Sequence, residues 1–329
     1  MKIAILPSTV RQNAVFAQEH IAELKTMGEV VCNKTEGDPS KEQVMEAIHG
    51  ADVAITSWGC PALTADVLDR APNLKLIVHA AGTIKGIASP DVWERGIRVS
   101  SGNGPLGQGV AETALGFTIT ALKNMWTLNR STHSGGWKEG RDRVREMVGV
   151  RIGVLGAGKA GRHYIQLLKL FDVQVLVHDP FLSAAEAQQL GVTLCSLEEM
   201  LAASDVVSIH APSLPSTNKM INKERLALMK DGAILINTAR GSIIDESALI
   251  PELQSGRLFA CLDVTDPEPP AADHPFRTLP NCVLTPHIAG AVTNGLRRLG
   301  RFAVTEVRHF TAGQPLTGEV EASALSTLA

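Results

Sequence analysis

Little in the sequence speaks for a nucleic acid or a membrane as partner. Aromatic residues make up only 4% of the 329-residue chain, too few for a base-stacking platform. Neither sign of charge dominates: 31 lysines and arginines stand against 34 acidic residues, for a net charge of −3. No positive field is therefore available to hold a polyanion or an anionic bilayer surface. No run of eighteen apolar residues offers a bilayer span. The five cysteines, Cys32, Cys60, Cys195, Cys261 and Cys282, are odd in number and contain no CxxC pair. That argues against a zinc or dithiol centre and fits a reducing, cytoplasmic setting. The opening MKIAILPSTVRQ has one lysine and a four-residue apolar run before Pro7, so no export signal is expected.

What is present describes a globular chain of about two domains at ~150 residues each. Hydrophobic residues make 44% and charged residues 20%, which excludes a disordered chain. Short runs of Val, Ile and Leu alternate with stretches of helical period, the pattern of parallel strands joined by crossover helices. The expected class is α/β, with two doubly wound, Rossmann-like parallel sheets. In the first hundred residues, strands are expected at KIAIL, EVVC, DVAIT, LKLIV and IRVS. Helical stretches are expected near Ala14 to Met27, Lys41 to Ile48 and Thr64 to Leu68. The first strand runs into Pro7, Ser8 and Thr9 instead of glycines, so this unit is not expected to hold a dinucleotide. A second series follows at RIGVL, VQVLVHD, DVVSIHAP, AILINTAR, FACLDV and CVLTPHIAG. Between the two lies a helical stretch apolar on every side, from Val110 through Phe117 and Leu122 to Trp126, which argues for burial at a domain or subunit contact. The polar stretch after it, NRSTHSGGWKEGRDR, reads as a solvated loop.

GAGKAG sets Gly156, Gly158 and Gly161 in the GxGxxG spacing, with Lys159 and Ala160 between. That spacing allows a tight turn, a close approach of pyrophosphate oxygens, and helix packing against a strand. The pattern alone is weak, and a second copy stands at Gly102, Gly104 and Gly107. Context separates them. After Gly161 come a helical stretch, the strand VQVLVH and Asp179, a complete βαβ unit with an acid placed to accept bonds from the adenosine ribose. The carboxylate would repel a 2'-phosphate, and Pro180, Phe181 and Leu182 add no cation, so NAD is expected over NADP. After Gly107 no second strand or acid follows at the required distance, and that copy is assigned to a loop.

Arg240, Glu268 and His287 stand at or just beyond the carboxyl ends of later strands, where open α/β sheets bind ligands. Together they suit the reduction of a carbonyl beside a carboxylate. Hydride addition leaves an alkoxide that needs a proton, for which His287 is suited. Glu268 would fix its tautomer and favour the imidazolium. Arg240 would bind a carboxylate in bidentate fashion. No Cys or His cluster has metal-ligand spacing, so no metal is expected.

GAGKAG with Asp179, INTARGSIIDESAL, LDVTDPEP and LTPHIAG follow in this order, and the chain thereby resembles the D-isomer specific 2-hydroxyacid dehydrogenases over nearly its whole length. The resemblance implies an NAD domain, residues 101–287, inserted into a flavodoxin-like substrate domain of residues 1–100 and 288–329. It implies Arg240, Glu268 and His287 as catalytic residues and Gly156, Gly158, Lys159, Ala160, Gly161 and Asp179 at the cofactor. Ala211, Pro212, Thr238, Ala239 and Asp263 are implied as further cofactor contacts, and a homodimer joined through the inserted domain as the assembly. The substrate would be a small 2-oxo or 2-hydroxy acid. The family's substrate loop commonly reads AGVGxDNID. Here AAGTIKGIASPD keeps Gly82 but carries Ile84, Lys85 and Gly86 in place of the second glycine and the Asp-Asn pair. Amides at Gly82 and Thr83 remain candidates for the substrate carboxylate, and Lys85 reads as an exposed lysine. The same fold and residues also resemble NADH-responsive transcriptional corepressors, so a dinucleotide-sensing binding protein is the second reading.

Overall fold

The computed structural model describes residues 1–327. Among them, twelve short strands form two sheets in which every strand pairing is parallel. The chain divides into two compact units, Met1–Leu106 with the segment from Ala291 onward, and Gly107–Gly290.

The first unit holds β1 (Lys2–Ile5), β2 (Glu29–Cys32), β3 (Val53–Thr56), β4 (Leu76–His79) and β5 (Arg98–Ser101), in the order β2-β1-β3-β4-β5. This is the flavodoxin-like order. Successive strand residues point to opposite faces, and the core divides accordingly. Ala4, Ala54, Ile77 and Val99 pack with Val44, Val67 and Val92 on one side. Ile3, Ile55, Leu76 and Val78 pack with Leu24, Leu299, Val304 and Val307 on the other. Strands buried on both faces read as continuous apolar runs because helices cover both. The helix Leu296–Thr311 belongs to this second layer, a return of the chain that strand patterning alone does not reveal.

The second unit holds β6 (Val150–Leu155), β7 (Val173–His178), β8 (Thr193–Leu194), β9 (Val206–Ile209), β10 (Ile234–Asn237), β11 (Phe259–Leu262) and β12 (Cys282–Leu284). Their order is β12-β11-β10-β9-β6-β7-β8. The direction of winding reverses between β6 and β9, which places a switch-point crevice at their carboxyl ends. No helix among the described residues is long and apolar enough to cross a membrane, and all five cysteines are free.

Several local expectations need correction. The stretch from Ala14 to Met27 is two helices, Thr9–Val15 and Gln18–Met27, parted at Phe16 and Ala17. The second glycine motif is not a loop: Gly104 and Gly107 lie in the helix Asn103–Leu122. A Cβ on Gly107 would come within 3.0 Å of the Ala160 amide, so this glycine serves close helix packing. The apolar stretch to Trp126 breaks at Asn124, which adopts a left-handed φ of 50° and starts the helix Met125–His133. That helix takes in Asn129 to His133 from the supposed loop; Arg130 and His133 in its last turn favour the carboxyl end of the helix dipole. Burial is one-sided: Ala111, Ala114 and Leu122 are buried, whereas Met125 is 48% exposed. The strand β8, only two residues long and both exposed, is too short to give a strand pattern and is not among the expected strands.

Glu306 holds the carboxyl-terminal return in place. Its fully buried carboxylate accepts from Ser100 Oγ (2.5 Å), the Thr317 amide (2.9 Å) and hydroxyl (2.5 Å), and the Gly318 amide (3.1 Å). Replacing Glu306 with Ala leaves the buried Ser100 hydroxyl unpaired and removes the acceptor for Thr317 and Gly318, and should lower stability by about 2–4 kcal/mol. Denaturant melts, with limited proteolysis of the 312–327 segment, measure this; an unchanged midpoint would contradict the latch.

Candidate active site

The glycine loop joins β6 to the helix Lys159–Leu168. Gly156 has φ +96°, and a Cβ there would meet the Ala211 amide at 2.8 Å, so the loop presses against His210 and Ala211 just after β9. A Cβ on Gly161 would lie 2.0 Å from the Gly156 carbonyl oxygen. Only glycine fits either place. Gly158, the N-cap, differs: nothing lies within 4 Å of its Cβ position, and no side chain caps the helix. An open approach over uncapped amides is what a pyrophosphate requires. Lys159 is exposed and Ala160 half-buried at the same helix start.

Asp179, following β7, closes this loop. Its carboxylate accepts from the Ala157 amide at 2.7 Å and from the Phe181 amide at 2.8 Å. An ionised carboxylate has about four lone-pair positions, so capacity remains for ribose hydroxyls. Behind the loop, His210 packs on Tyr164 with ring centroids 5.1 Å apart and planes tilted by 38°, and its Nε2 lies 2.9 Å from Ser208 Oγ. Burial holds the imidazole down at about 4, hence neutral. Its Nδ1 and the Thr238 hydroxyl are buried without a hydrogen-bond partner. They follow β9 and β10, which pair Ile209 with Asn237. Two orphaned polar atoms side by side on the ligand edge of the sheet fit a polar ligand. Ala211 is buried and Pro212 half-buried beside them, and the Ala239 amide is taken by Asn237 Oδ1 at 3.0 Å.

Arg240, Glu268 and His287 follow three adjacent strands, β10, β11 and β12, spaced about 5 Å apart in a sheet. His287 Nδ1 donates to Glu268 Oε1 at 2.6 Å. Both side chains remain accessible, at 48% and 40% exposure, and they line a cavity of about 430 Å³ with Asp263, Thr265 and Arg277. His287 has φ +52°, a region that non-glycine residues rarely occupy. Asp263 imposes it: its buried carboxylate accepts from Thr285 Oγ1 (2.5 Å) and the Ile288 (2.9 Å) and Ala289 (2.8 Å) amides, while its carbonyl accepts from the His287 amide (2.9 Å). Asp263 therefore holds the His287 loop, a task not foreseen for it, with one lone-pair position left for a ligand. The half-buried Arg240 is fixed through its carbonyl, which accepts from Asn237 Nδ2 at 2.8 Å, and its Nη1 donates to the Ala239 carbonyl at 2.6 Å.

Gly82 and Thr83 belong to the other unit, after β4. The Gly82 carbonyl accepts from Ser101 Oγ at 2.7 Å, whereas the Gly82 and Thr83 amides have no acceptor among the described residues. Thr83 and Lys85 are exposed. Nearby, the buried His79 ring shares a hydrogen bond with Thr56 Oγ1 at 2.9 Å, and burial lowers it to about 4. No group of three or more His, Cys, Asp or Glu among the described residues is arranged to hold a metal ion.

Sequence reasoning missed Gly241, whose Cβ position lies 2.1 Å from the Thr265 carbonyl carbon, so the segment after β10 touches the segment after β11. It also missed His210, Glu246 and Arg277. The glycine directly after Arg240 was the one readable signal of that contact. The others act through long-range partners that no local pattern encodes.

The family described as "D-isomer specific 2-hydroxyacid dehydrogenase, NAD binding domain" matches residues 102–289. The chain is 33% identical over 282 residues to D-3-phosphoglycerate dehydrogenase of Archaeoglobus fulgidus, covering 85% of this chain but 53% of that protein. It thus spans about half the length of that relative. It is 33% identical over 263 residues to hydroxypyruvate reductase of Thermotoga maritima, covering 79% and 85% of the two chains. The crystal structure of the TT0316 protein from Thermus thermophilus superposes with a TM-score of 0.75 at 30% identity, covering 98% and 100%. The chain therefore belongs to the D-isomer specific 2-hydroxyacid dehydrogenase family, and its residues 102–289 match that family's NAD-binding domain.

Proposed function

We propose that the protein is an NAD-dependent oxidoreductase that interconverts a small 2-oxo acid and its D-2-hydroxy acid. The observation that carries this reading is the 2.6 Å bond from His287 to Glu268, on the sheet edge that also bears Arg240. A bound NAD(H) would supply the hydride chemistry at the substrate's C2. Gly156, Gly158 and Gly161, with Lys159 and Ala160 at the helix start, receive the dinucleotide's pyrophosphate, and Asp179 its ribose hydroxyls. Ala211, Pro212, Thr238, Ala239 and Asp263 border the remainder of the cofactor.

Arg240 holds the substrate carboxylate and polarises the neighbouring carbonyl. In the other unit, the amides of Gly82 and Thr83, without an acceptor among the described residues, are free to bind a carboxylate. As negative charge gathers on the substrate oxygen, His287 Nε2, the nitrogen not engaged by Glu268, delivers a proton. In the opposite direction the neutral ring takes that proton, and Glu268 stabilises the resulting imidazolium.

We also propose a homodimer formed through the second unit. The helix Met125–His133 has no buried residue, and Met125, Trp137 and Val148 are 48%, 73% and 69% exposed on it and the following loop. Large apolar groups concentrated in one segment are what an interface covers.

A screen of glyoxylate, hydroxypyruvate, pyruvate, phenylpyruvate and branched 2-oxo acids with NADH and NADPH tests the activity. Consumption of NADH supports the enzyme; NADH binding without turnover of any acid would fit a sensor instead. Replacing His287 with Gln should lower kcat by about two to four decades with NADH binding retained, whereas Arg240→Lys should lower kcat/KM by about tenfold or more. Wild-type turnover in either variant removes the corresponding role. Asp179→Ser should weaken NADH binding about tenfold and narrow the preference over NADPH, as read by fluorescence titration; an unchanged ratio would contradict the ribose assignment. In sedimentation, the chain should run as a dimer that Trp137→Glu weakens, and a wild-type monomer would rule the interface out.

A further inference from the structure

To support His287, Glu268 has to be held still. It sits in Asp266–Pro270, a segment without helix or strand, in which residues 266 to 269 are exposed. Pro267, Pro269 and Pro270 carry no N–H. Only the Asp266 and Glu268 amides are left in this stretch as backbone donors, so the loop cannot be stitched down by an ordinary ladder.

One of those two amides is taken. Asp266 N–H donates to Glu246 Oε1 at 2.9 Å. The other Glu246 oxygen lies 3.3 Å from His274 Nε2, and the two side chains are only 14% and 17% exposed. Glu246 opens the helix Glu246–Gln254, six residues beyond Arg240 in the same segment, and Gly241 of that segment already touches Thr265. The Glu246 carboxylate thus joins the Arg240 segment to the Glu268 loop. Arg277 secures the loop's far end, its Nε and Nη2 each donating at 2.8 Å to the Ala271 and Pro270 carbonyls. Burial raises the Glu246 carboxyl above its ordinary range, a cost that an acid serving only the helix dipole at the surface does not carry.

We propose that Glu246 is a positioning residue for the reaction: by gripping the Asp266 amide it sets Glu268, and through it His287, in register with Arg240. The proposal rests on the reading of His287 and Glu268 as the acid–base pair. Reach, and not charge, is the property required. Glu246→Gln keeps an acceptor at the same length, whereas Glu246→Asp keeps the charge but is one methylene short.

The test uses the full chain with NADH and the best acid from the substrate screen. Glu246→Asp should lower kcat about tenfold with the KM for NADH within about twofold, and Glu246→Gln should stay within about threefold of wild type. In the double variant Glu246→Asp/Glu268→Gln, turnover should be no slower than in Glu268→Gln alone, because both changes act on one unit. A Gln variant as slow as the Asp variant, or losses that multiply in the double variant, would overturn the proposal. Hydrogen exchange at the Asp266 amide, measured without substrate, should quicken about tenfold in Glu246→Asp and not in Glu246→Gln; equal protection in both would overturn it as well. If the wild type turned over no 2-oxo acid, the catalytic reading would fail, while the exchange measurement would still decide whether Glu246 holds the loop.

Discussion

The site depends first on the buried carboxylate of Asp263. His287 occupies a left-handed backbone conformation that costs roughly 1–3 kcal/mol for a residue with a Cβ. Asp263 offsets this with three bonds to the 285–289 segment, each worth about 1.5–3 kcal/mol when the acceptor is charged. The gain exceeds the cost, and the unusual backbone angle becomes the stable one. From it follows the direction of the imidazole toward Glu268. Gly109 gives the support behind: a Cβ there would meet the Gly290 carbonyl at 3.2 Å, so the helix Asn103–Leu122 can lie directly against the residues that follow His287.

A division of labour runs through the second unit. The proposed acid–base pair, His287 and Glu268, is accessible. Groups that fix them are buried or largely so: Asp263 beneath His287, Asn237 beneath Arg240, and Glu246, 14% exposed, beneath the Glu268 loop. Accessibility is needed for chemistry and burial for stiffness, because a hydrogen bond away from water is not exchanged for one to solvent. No single residue can supply both, which is why each exposed catalytic candidate has a concealed polar partner.

The α/β class, most strands and the glycine loop were legible because each rests on local order: apolar runs of strand length, a spacing of glycines, an acid at the end of the next strand. The placing of Arg240, Glu268 and His287 after successive strands was legible because each residue trails an apolar run of strand length. What was not legible is non-local. Gly107 reads as part of a glycine-rich loop until Ala160 is seen against it. Asp263 reads as a ligand contact until the 285–289 amides are seen around it. The helix break at Asn124 was hidden because the apolar residues Leu122, Met125 and Trp126 lie close around Lys123 and Asn124, and the all-round apolarity of that stretch became one face of core and one of surface.

The two units share parallel winding yet differ at the turn after their first strand, and the difference explains why only one is suited to a dinucleotide. After β1, Ser8 caps its own helix, its Oγ accepting from the Arg11 amide at 3.3 Å. Gln12 then reaches back, its Nε2 donating to the Pro7 and Asn33 carbonyls at 2.8 and 2.7 Å, and Asn33 Nδ2 donates to the Leu6 carbonyl at 2.8 Å. All four residues, Ser8, Gln12, Asn33 and Leu6, are buried. The backbone groups at this strand end are thus satisfied from within, and Thr9–Val15 is a helix of only seven residues. After β6 the opposite holds: no side chain caps the helix, and the space over Gly158 is open. Because unpaired amides at a helix start seek an anion, the same topology is closed by its own polar side chains in one unit and left for a ligand in the other.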